Sequence, residues 1–356
     1  MARCNFWDEP VLFRRRDQNT EQQEAPAPPV EPEGAAADAA SSSEVAEVRP
    51  DPETPAEVTP DPEMPAEVSD PDPDDLDDEE VAAKVDHVAP PTPRKHYPLP
   101  RVMAVANQKG GVGKTTTTIN LSAGLAELGF RVLVIDLDPQ GNATTGLGID
   151  ARHFEQSMYD VLMRETDLND CIEPTSVKNL FVAPATIDLA GVEIELVPAF
   201  SRELKLKRAV AQVIDEFDFI LIDCPPSLGL ITINGLAAAT EVLVPIQCEY
   251  YALEGLGQLL RNVKMVASNL NPALEVSTIV LTMYDARTKL AADVAAEVRE
   301  HFPNEVCRSI IPRTVRLSEA PSFGQPITVF DPTSRGALAY RDLAKEVSNG
   351  ATERTR

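Results

Sequence analysis

From about residue 100 the chain alternates short, almost wholly apolar runs with longer stretches whose apolar residues recur every three or four positions. The short runs lie at 101–106, 131–136, 180–183, 194–197, 218–223, 241–246, 276–283 and 326–329, and most are rich in Val, Ile and Leu. Continuous apolar character over so few residues suits strands covered on both faces, as in a parallel sheet. The longer stretches, at about 115–129, 202–216, 229–238, 252–269, 288–302 and 334–347, have the spacing of amphipathic helices. Regular alternation of the two predicts a doubly wound, mostly parallel α/β sheet with right-handed crossovers. Gly129 is placed to end the first helix before the second strand. Ligands in such sheets bind beyond the carboxyl ends of the strands.

The pattern is missing from the first 97 residues, which changes the domain picture. Residues 17–86 hold 23 Asp and Glu against Arg49 and Lys84, a net of −21, so the −25 of the whole chain leaves only −4 for everything else. This segment has no aromatic residue, is rich in Pro and Ala, and repeats itself: Pro50 to Thr59 is nearly duplicated as Pro60 to Ser69. Such a sequence buries too little apolar surface to offset chain entropy, and its like charges repel. It reads as a disordered, extended acidic arm with local polyproline II. The expected organisation is therefore an extension over 1–97, one domain over 98–348, and a flexible end over 349–356.

Residues 1–16 differ from the arm. Phe6, Trp7, Val11, Leu12 and Phe13 precede Arg14, Arg15 and Arg16, which is either an unstructured terminus or a short docking motif for a protein, such as a polar or scaffold partner, or for a membrane. It is no secretory signal, because the charge follows the apolar residues and no long apolar core is present. No run reaches the 18 or so apolar residues of a membrane span, so integral membrane association is not expected. Five scattered cysteines without paired spacing read as reduced thiols, and four histidines show no ligand spacing.

The chemistry concentrates at residues 107–118, Asn-Gln-Lys-Gly-Gly-Val-Gly-Lys-Thr-Thr-Thr-Thr, between the apolar run Val102–Ala106 and an amphipathic segment from Ile119 to Leu128. Strand, glycine loop and helix in that order form a phosphate-binding loop. Gly110, Gly111 and Gly113 let the backbone curl so that consecutive N–H groups point at phosphate oxygens. The helix starting near Lys114 adds the positive end of its dipole. Lys114 would reach the β- and γ-phosphates and the Thr115 hydroxyl would ligate Mg²⁺, while Val112 and Thr116 complete the cradle. Farther on, Phe219 to Asp223 ends an apolar strand in a carboxylate followed by Cys224-Pro225-Pro226. An aspartate there, beside a phosphate loop, can hold a water on Mg²⁺; a helix-capping carboxylate is the alternative.

The common G-x-x-x-x-G-K-[ST] pattern would have glycine at 108, where this chain has Gln108 followed by a second lysine, Lys109. The run Lys109 to Thr116 resembles the deviant Walker A loop of the ParA/MinD ATPases, and the likeness extends from about residue 100 to about residue 348. It is strongest to chromosomal ParA partition proteins of the Soj type. The resemblance implies a P-loop NTPase fold of the SIMIBI type, ATP and Mg²⁺ as nucleotide and metal, and Mg-dependent ATP hydrolysis. It implies that Lys109 reaches across a homodimer formed on ATP binding to the partner's nucleotide. It implies that Asp138 orients the attacking water, with Asp136 nearer the Mg²⁺ shell or purely structural. Asn234 would face dimer and nucleotide, or lie on the helix surface. The family's base-binding Ile-Pro-Arg-Asn turn reads here Ile311-Pro312-Arg313-Thr314, which keeps the backbone of Pro312 but loses the asparagine that would read adenine.

The same resemblance puts nonspecific DNA-contacting residues at Arg287 and Arg316, with Lys264 added from the basic residues of this half; by itself, scattered Lys and Arg marks a solvated face. Such contacts are to phosphates and are salt-sensitive. The reading that follows is a cytoplasmic, nucleoid-associated partitioning ATPase, for chromosome or plasmid, whose hydrolysis is stimulated by a ParB-like centromere-binding protein. Two other classes compete. A MinD-like membrane-associated ATPase would need an apolar face at the C-terminus, which Gly350 to Arg356 does not offer. A metabolic P-loop enzyme, such as an amide-forming synthetase or a nitrogenase-type iron protein, would need a substrate motif or cluster-ligating cysteines.

Overall fold

The computed structural model describes residues 97–150, 154–250 and 252–348; the acidic arm, its aromatic start and the C-terminal end lie outside the described residues. Within them, eight strands form one sheet: β1 Arg101–Val105, β2 Val132–Asp136, β3 Glu173–Pro174, β4 Leu180–Ala183, β5 Phe219–Asp223, β6 Glu241–Gln247, β7 Glu275–Tyr284 and β8 Val306–Pro312. Their order across the sheet is β3-β4-β2-β5-β1-β6-β7-β8. All neighbours are parallel except β3, which pairs antiparallel with β4 at the edge. The helices are α1 Lys114–Glu127, α2 Asn142–Gly146, α3 Met158–Arg164, α4 Leu189–Glu195, α5 Lys205–Val213, α6 Leu230–Ala238, α7 Ala252–Asn269, α8 Lys289–His301, α9 Val315–Glu319, α10 Ile327–Phe330 and α11 Arg335–Ser348.

Strand alternation divides the core into two layers. Val102, Ala104, Ile220, Ile222, Val242 and Val244 point to the layer built by α3 to α8. Met103, Val105, Val132, Phe219, Leu221 and Leu243 point to the other, under α1 and α11. Because both faces are covered, the central strands read as unbroken apolar runs. The first helix is buried nearly all round rather than amphipathic, with Thr117 through Ala126 shielded. It lies between the sheet and α11, so close that a β-carbon on Gly124 would stand 2.9 Å from Ala344 Cβ. Thr117 Oγ1 and Tyr340 Oη, both buried, pair at 3.2 Å across this contact. Gly129 ends the helix as expected, in the left-handed region with φ +98°.

Three assignments from the sequence change. Residues 194–197 are not a strand but the end of α4 and the turn after it, because Leu189, Val192 and Leu196 bury one helical face. Residues 326–329 enter the single turn of α10, whose first free N–H, from Ile327, is taken by Asn120 Oδ1 at 2.7 Å. In exchange, β8 occupies 306–312, a run disguised by the exposed Arg308 because the strand lies at the sheet edge. The four cysteines among the described residues are unbonded and buried. None of the described helices is long and apolar enough to cross a membrane.

At the amino ends of the strands, Arg101 is 5% exposed and donates to Glu241, itself 2% exposed, through Nε (2.8 Å) and Nη2 (2.6 Å). Its remaining amine donates to the carbonyl of Val347, tying β1, β6 and the end of α11 together. Arg101→Ala would leave Glu241 buried without its cation, and a loss of about 3–5 kcal/mol is expected. Urea unfolding followed by far-UV circular dichroism measures it, and a loss below about 1 kcal/mol would show this ion pair to be dispensable.

Candidate functional site

The carboxyl ends of three adjacent strands meet in register: Asp223 of β5 pairs with Val105 of β1 on one side and Asp136 of β2 on the other. The loop 106–113 rises from β1 beside them. Here the chain first moves outward to β2 and later returns to lay β6 on the other flank of β1, which opens a crevice at the strand ends. Gly111 (φ +74°) and Gly113 (φ +84°) take the left-handed conformation that the curl requires, whereas Gly110 has no positive φ. Asn107 braces the loop from below, donating to the carbonyl of Pro245 (2.8 Å) and accepting the N–H of Lys109 (3.0 Å). Thr282 of β7 braces it from the side, donating to the carbonyl of Val112, whose side chain is buried. Neither brace was apparent in the sequence: Thr282 lies far along the chain, and residue type alone does not show the partners of Asn107.

Gly113 caps α1 without any side-chain hydrogen bond, and the first turn holds no acidic residue. The helix therefore presents free N–H groups at the loop, a ready anion site. Lys114 is 7% exposed and its ammonium donates to the carbonyl of Lys109 at 3.2 Å. Burial pushes its pKa below the usual lysine value, opposed by the charges of Asp223 and Asp138. Thr115 and Thr116 are half-buried on the first turn beside it.

The three aspartates divide the work clearly. Asp136 is fully buried and both its oxygens are occupied: Oδ1 accepts from the Asp138 N–H (3.1 Å), and Oδ2 from the Thr144 N–H (2.8 Å) and hydroxyl (2.7 Å). Burial raises its pKa in spite of these bonds. With three donors on its two oxygens, Asp136 ties the start of α2 to the end of β2. Asp223 is the opposite case. Its Oδ1 accepts from the Thr118 hydroxyl at 3.0 Å, but the fully buried Oδ2 has no hydrogen bond. The nearby Thr115 hydroxyl favours its ionised form, yet burial, and then the charge of Asp136, raise its pKa. Asp138 lies half-buried at the mouth, with Oδ1 closing a turn on the Gln140 N–H (3.0 Å).

A buried carboxylate oxygen without a partner, in a spot where Lys114 feels the charges of Asp223 and Asp138, is what a divalent cation would complete. Among the described residues no three His, Cys, Asp or Glu side chains are arranged to hold a metal by themselves. A cation here would thus take Thr115, Asp223 and ligands brought by a phosphate, which suits Mg²⁺.

Other candidate residues fall elsewhere. Lys109 stands at the loop's outer side, 39% exposed, paired with Glu249 at 2.9 Å. Asn234 is not at a surface: it is fully buried, accepts from the Leu206 N–H (3.2 Å), and donates to the carbonyls of Arg202 (2.8 Å) and Leu230 (3.0 Å). Its amide joins α6 to Leu206 of α5 and to Arg202 before it. Pro312 ends β8 half-buried, and Thr314 spends its hydroxyl as the cap of α9. Arg287 lies three residues beyond Tyr284, which pairs with Pro312, and Arg316 four beyond Pro312, so both emerge at the carboxyl ends of β7 and β8. Each is half-exposed and paired within the chain: Arg287 with Asp285 (3.0 Å), Arg316 with Glu319 (3.0 Å) and Asp331 (3.5 Å). Lys264 is exposed on α7.

Comparison with known proteins agrees with this geometry. A family model described as an AAA domain matches residues 100–276. The sporulation initiation inhibitor protein Soj of Bacillus subtilis (strain 168) is 58% identical over 248 residues, covering 70% of this chain and 98% of its own. The chromosome partitioning protein ParA of Myxococcus xanthus (strain DK1622) is 48% identical over 255 residues, covering 72% and 90%. A solved structure from Mycobacterium smegmatis, described as cobyrinic acid a,c-diamide synthase with bound ADP and magnesium, is 41% identical, with a TM-score of 0.61 and coverage of 72% and 98%.

The structural role of Asp136 is testable through its partner. The Thr144 hydroxyl both donates to Asp136 and accepts the Ala185 N–H at 3.0 Å. Thr144→Val keeps the shape and deletes both bonds, so stability is expected to fall by about 1–3 kcal/mol. Calorimetric titration should find Mg-ADP affinity within about twofold of wild type, less than half a kcal/mol. A large loss of Mg-ADP affinity would return Asp136 to the metal shell.

Proposed function

This chain belongs to the Soj/ParA family of chromosome-partitioning ATPases, and from that premise we propose that it is a partitioning ATPase whose ATP-bound homodimer holds nucleoid DNA and releases it after hydrolysis. The observation that carries the reading is the unpaired Asp223 Oδ2 beside Lys114, Thr115 and the uncapped start of α1. That arrangement recognises a phosphate chain together with a divalent cation. Lys114 and the loop N–H groups of residues 110–116 bind the β- and γ-phosphates, which restores a counter-charge to the buried ammonium. Thr115 and Asp223 would hold Mg²⁺, which when bound supplies charge neutralisation at the γ-phosphate. Asp138, at the mouth, orients the water. Pro312 contributes backbone to the base site.

Lys109 completes the account in trans. Its pairing with Glu249 is exposed, and such pairs contribute only about 0–1 kcal/mol. Exchanging Glu249 for the phosphates of a partner's nucleotide therefore costs little, and dimerisation follows ATP. Arg287, Arg316 and Lys264 give the dimer a doubled set of phosphate contacts, so nucleotide-driven pairing switches DNA affinity. DNA phosphates would have to displace the intrachain carboxylates of Arg287 and Arg316: Glu319 is 42% exposed, Asp285 only 23%. A ParB-like partner accelerates the turnover. The extension at 1–97 adds a tether of net −21 over residues 17–86 that competes with DNA for the same basic surface, while residues 1–16 recruit a protein partner.

The description of the M. smegmatis structure favours an amide-forming synthetase as a second reading. The higher identity to Soj argues for partitioning, and DNA binding separates the two.

Arg287→Glu combined with Arg316→Glu should lower ATP-dependent DNA affinity roughly tenfold or more and flatten its salt dependence, because contacts become repulsions twice per dimer. ATP affinity should stay at the wild-type level. Filter binding across a salt series checks this, and equal retention of DNA by both proteins would place the interface on another surface. Deleting residues 1–96 should tighten DNA binding and raise its salt tolerance. Superimposable titrations for full-length and shortened protein would leave the arm a spacer.

A further inference from the structure

The segment 224–229 leaves Asp223 and ends at α6, and its two ends are held by different means. At the near end, the Cys224 N–H donates to the carbonyl of Val105 at 3.2 Å, so the sheet itself fixes the chain. In between, Pro225 and Pro226 stiffen it, and the carbonyl of Ser227 accepts the Thr232 hydroxyl at 2.6 Å. At the far end Gly229 begins α6 without a side-chain cap of its own. The cap comes from elsewhere: Glu193 of α4 accepts the N–H of Leu230 through Oε2 (2.7 Å) and that of Ile231 through Oε1 (3.2 Å). A carboxylate at a helix start is favoured both by the orphan N–H groups and by the dipole.

Gly229 shows that the space is reserved for this contact. Its backbone, at φ −88° and ψ −172°, is ordinary extended geometry open to any residue. A β-carbon there would stand 2.6 Å from Glu193 Oε2 and closer still to Oε1. Glycine is needed for room, and the room is filled by the carboxylate. Within α6, Asn234 donates to the carbonyl of Leu230 (3.0 Å) and, outward, to that of Arg202 (2.8 Å). The first turn of α6 is thus held from α4, and the following residue Asn234 from the segment before α5.

We propose that Glu193 is a positioning residue for hydrolysis: by capping α6 it fixes the far end of segment 224–229, the loop that follows Asp223. The inference rests on the ATPase reading above. Glu193 touches no nucleotide and is no catalytic residue; it acts through the loop it holds.

Three variants test it in the full chain. Glu193→Ala deletes the cap, and Gly229→Ala evicts the carboxylate, a flexible side-chain end, without straining the backbone. Each should lower kcat for Mg-ATP about tenfold, the effect of one charge-assisted hydrogen bond, and leave ADP affinity within about twofold. The double variant should be no slower than the singles, because both remove one contact. Hydrogen exchange of residues 224–231 should rise in all three. Effects that multiply in the double variant, an unchanged kcat, or unchanged exchange at Leu230 and Ile231 would overturn the proposal. Complete absence of ATP turnover in the wild type would instead sink the ATPase reading, and the exchange data would still decide whether Glu193 holds the loop.

Discussion

One carboxylate organises the molecule: Asp223, at the end of the strand that lies between β1 and β2, fully buried and with one oxygen unpaired. A lone buried anionic oxygen is destabilising, so the fold around it has to be secure without it. It is. Asp223 sits in parallel register with both neighbours, its Oδ1 is held by Thr118 of the helix that follows the phosphate loop, and its carbonyl accepts the Leu137 N–H. The sheet, the first helix and the second strand's exit all fix the position of an atom that has no hydrogen-bond partner in the structure. Polar groups left unsatisfied in an otherwise complete core mark a place kept for chemistry.

The balance of charge follows from the same spot. Lys114 and the uncapped helix start supply positive potential, the aspartates supply negative, and burial weakens the ionised forms of Lys114, Asp136 and Asp223. A phosphate chain would relieve the lysine and a divalent cation would relieve Asp223. Farther out, the charges are more exposed and paired within the chain, Lys109 with Glu249 and Arg287 with the partly buried Asp285. Such pairs are weak and exchangeable. The interior of the site is thus preorganised, and its rim is built of contacts that a partner molecule can take over.

The phosphate loop, the sheet and the two layers were legible in the sequence because burial on both faces writes itself as unbroken apolar runs, and because Gly111 and Gly113 have a conformational reason to be glycine. The edges were not: β8 carries Arg308 outward and breaks the pattern, and the run at 326–329 is apolar because it packs as a helical turn under Asn120. The role of Asp136 was undecidable from spacing, since two carboxylates two residues apart look alike until Thr144 is seen to occupy both hydrogen-bonding directions of one oxygen. Asn234 and Glu193 escaped for a related reason. Their partners, Leu206, Arg202, Leu230 and Ile231, include backbone groups 28 to 38 positions away, and such contacts leave no trace in residue type.

The central claim is that the unpaired oxygen of Asp223 is completed by a cation brought with nucleotide. Calorimetric titration of ADP, with Mg²⁺ and with a chelator in its place, measures this for wild type and Asp223→Asn. The account predicts that Mg²⁺ strengthens ADP binding to wild type by about tenfold or more, one charged contact's worth, and adds little in the variant. An equal gain from Mg²⁺ in both proteins would contradict it.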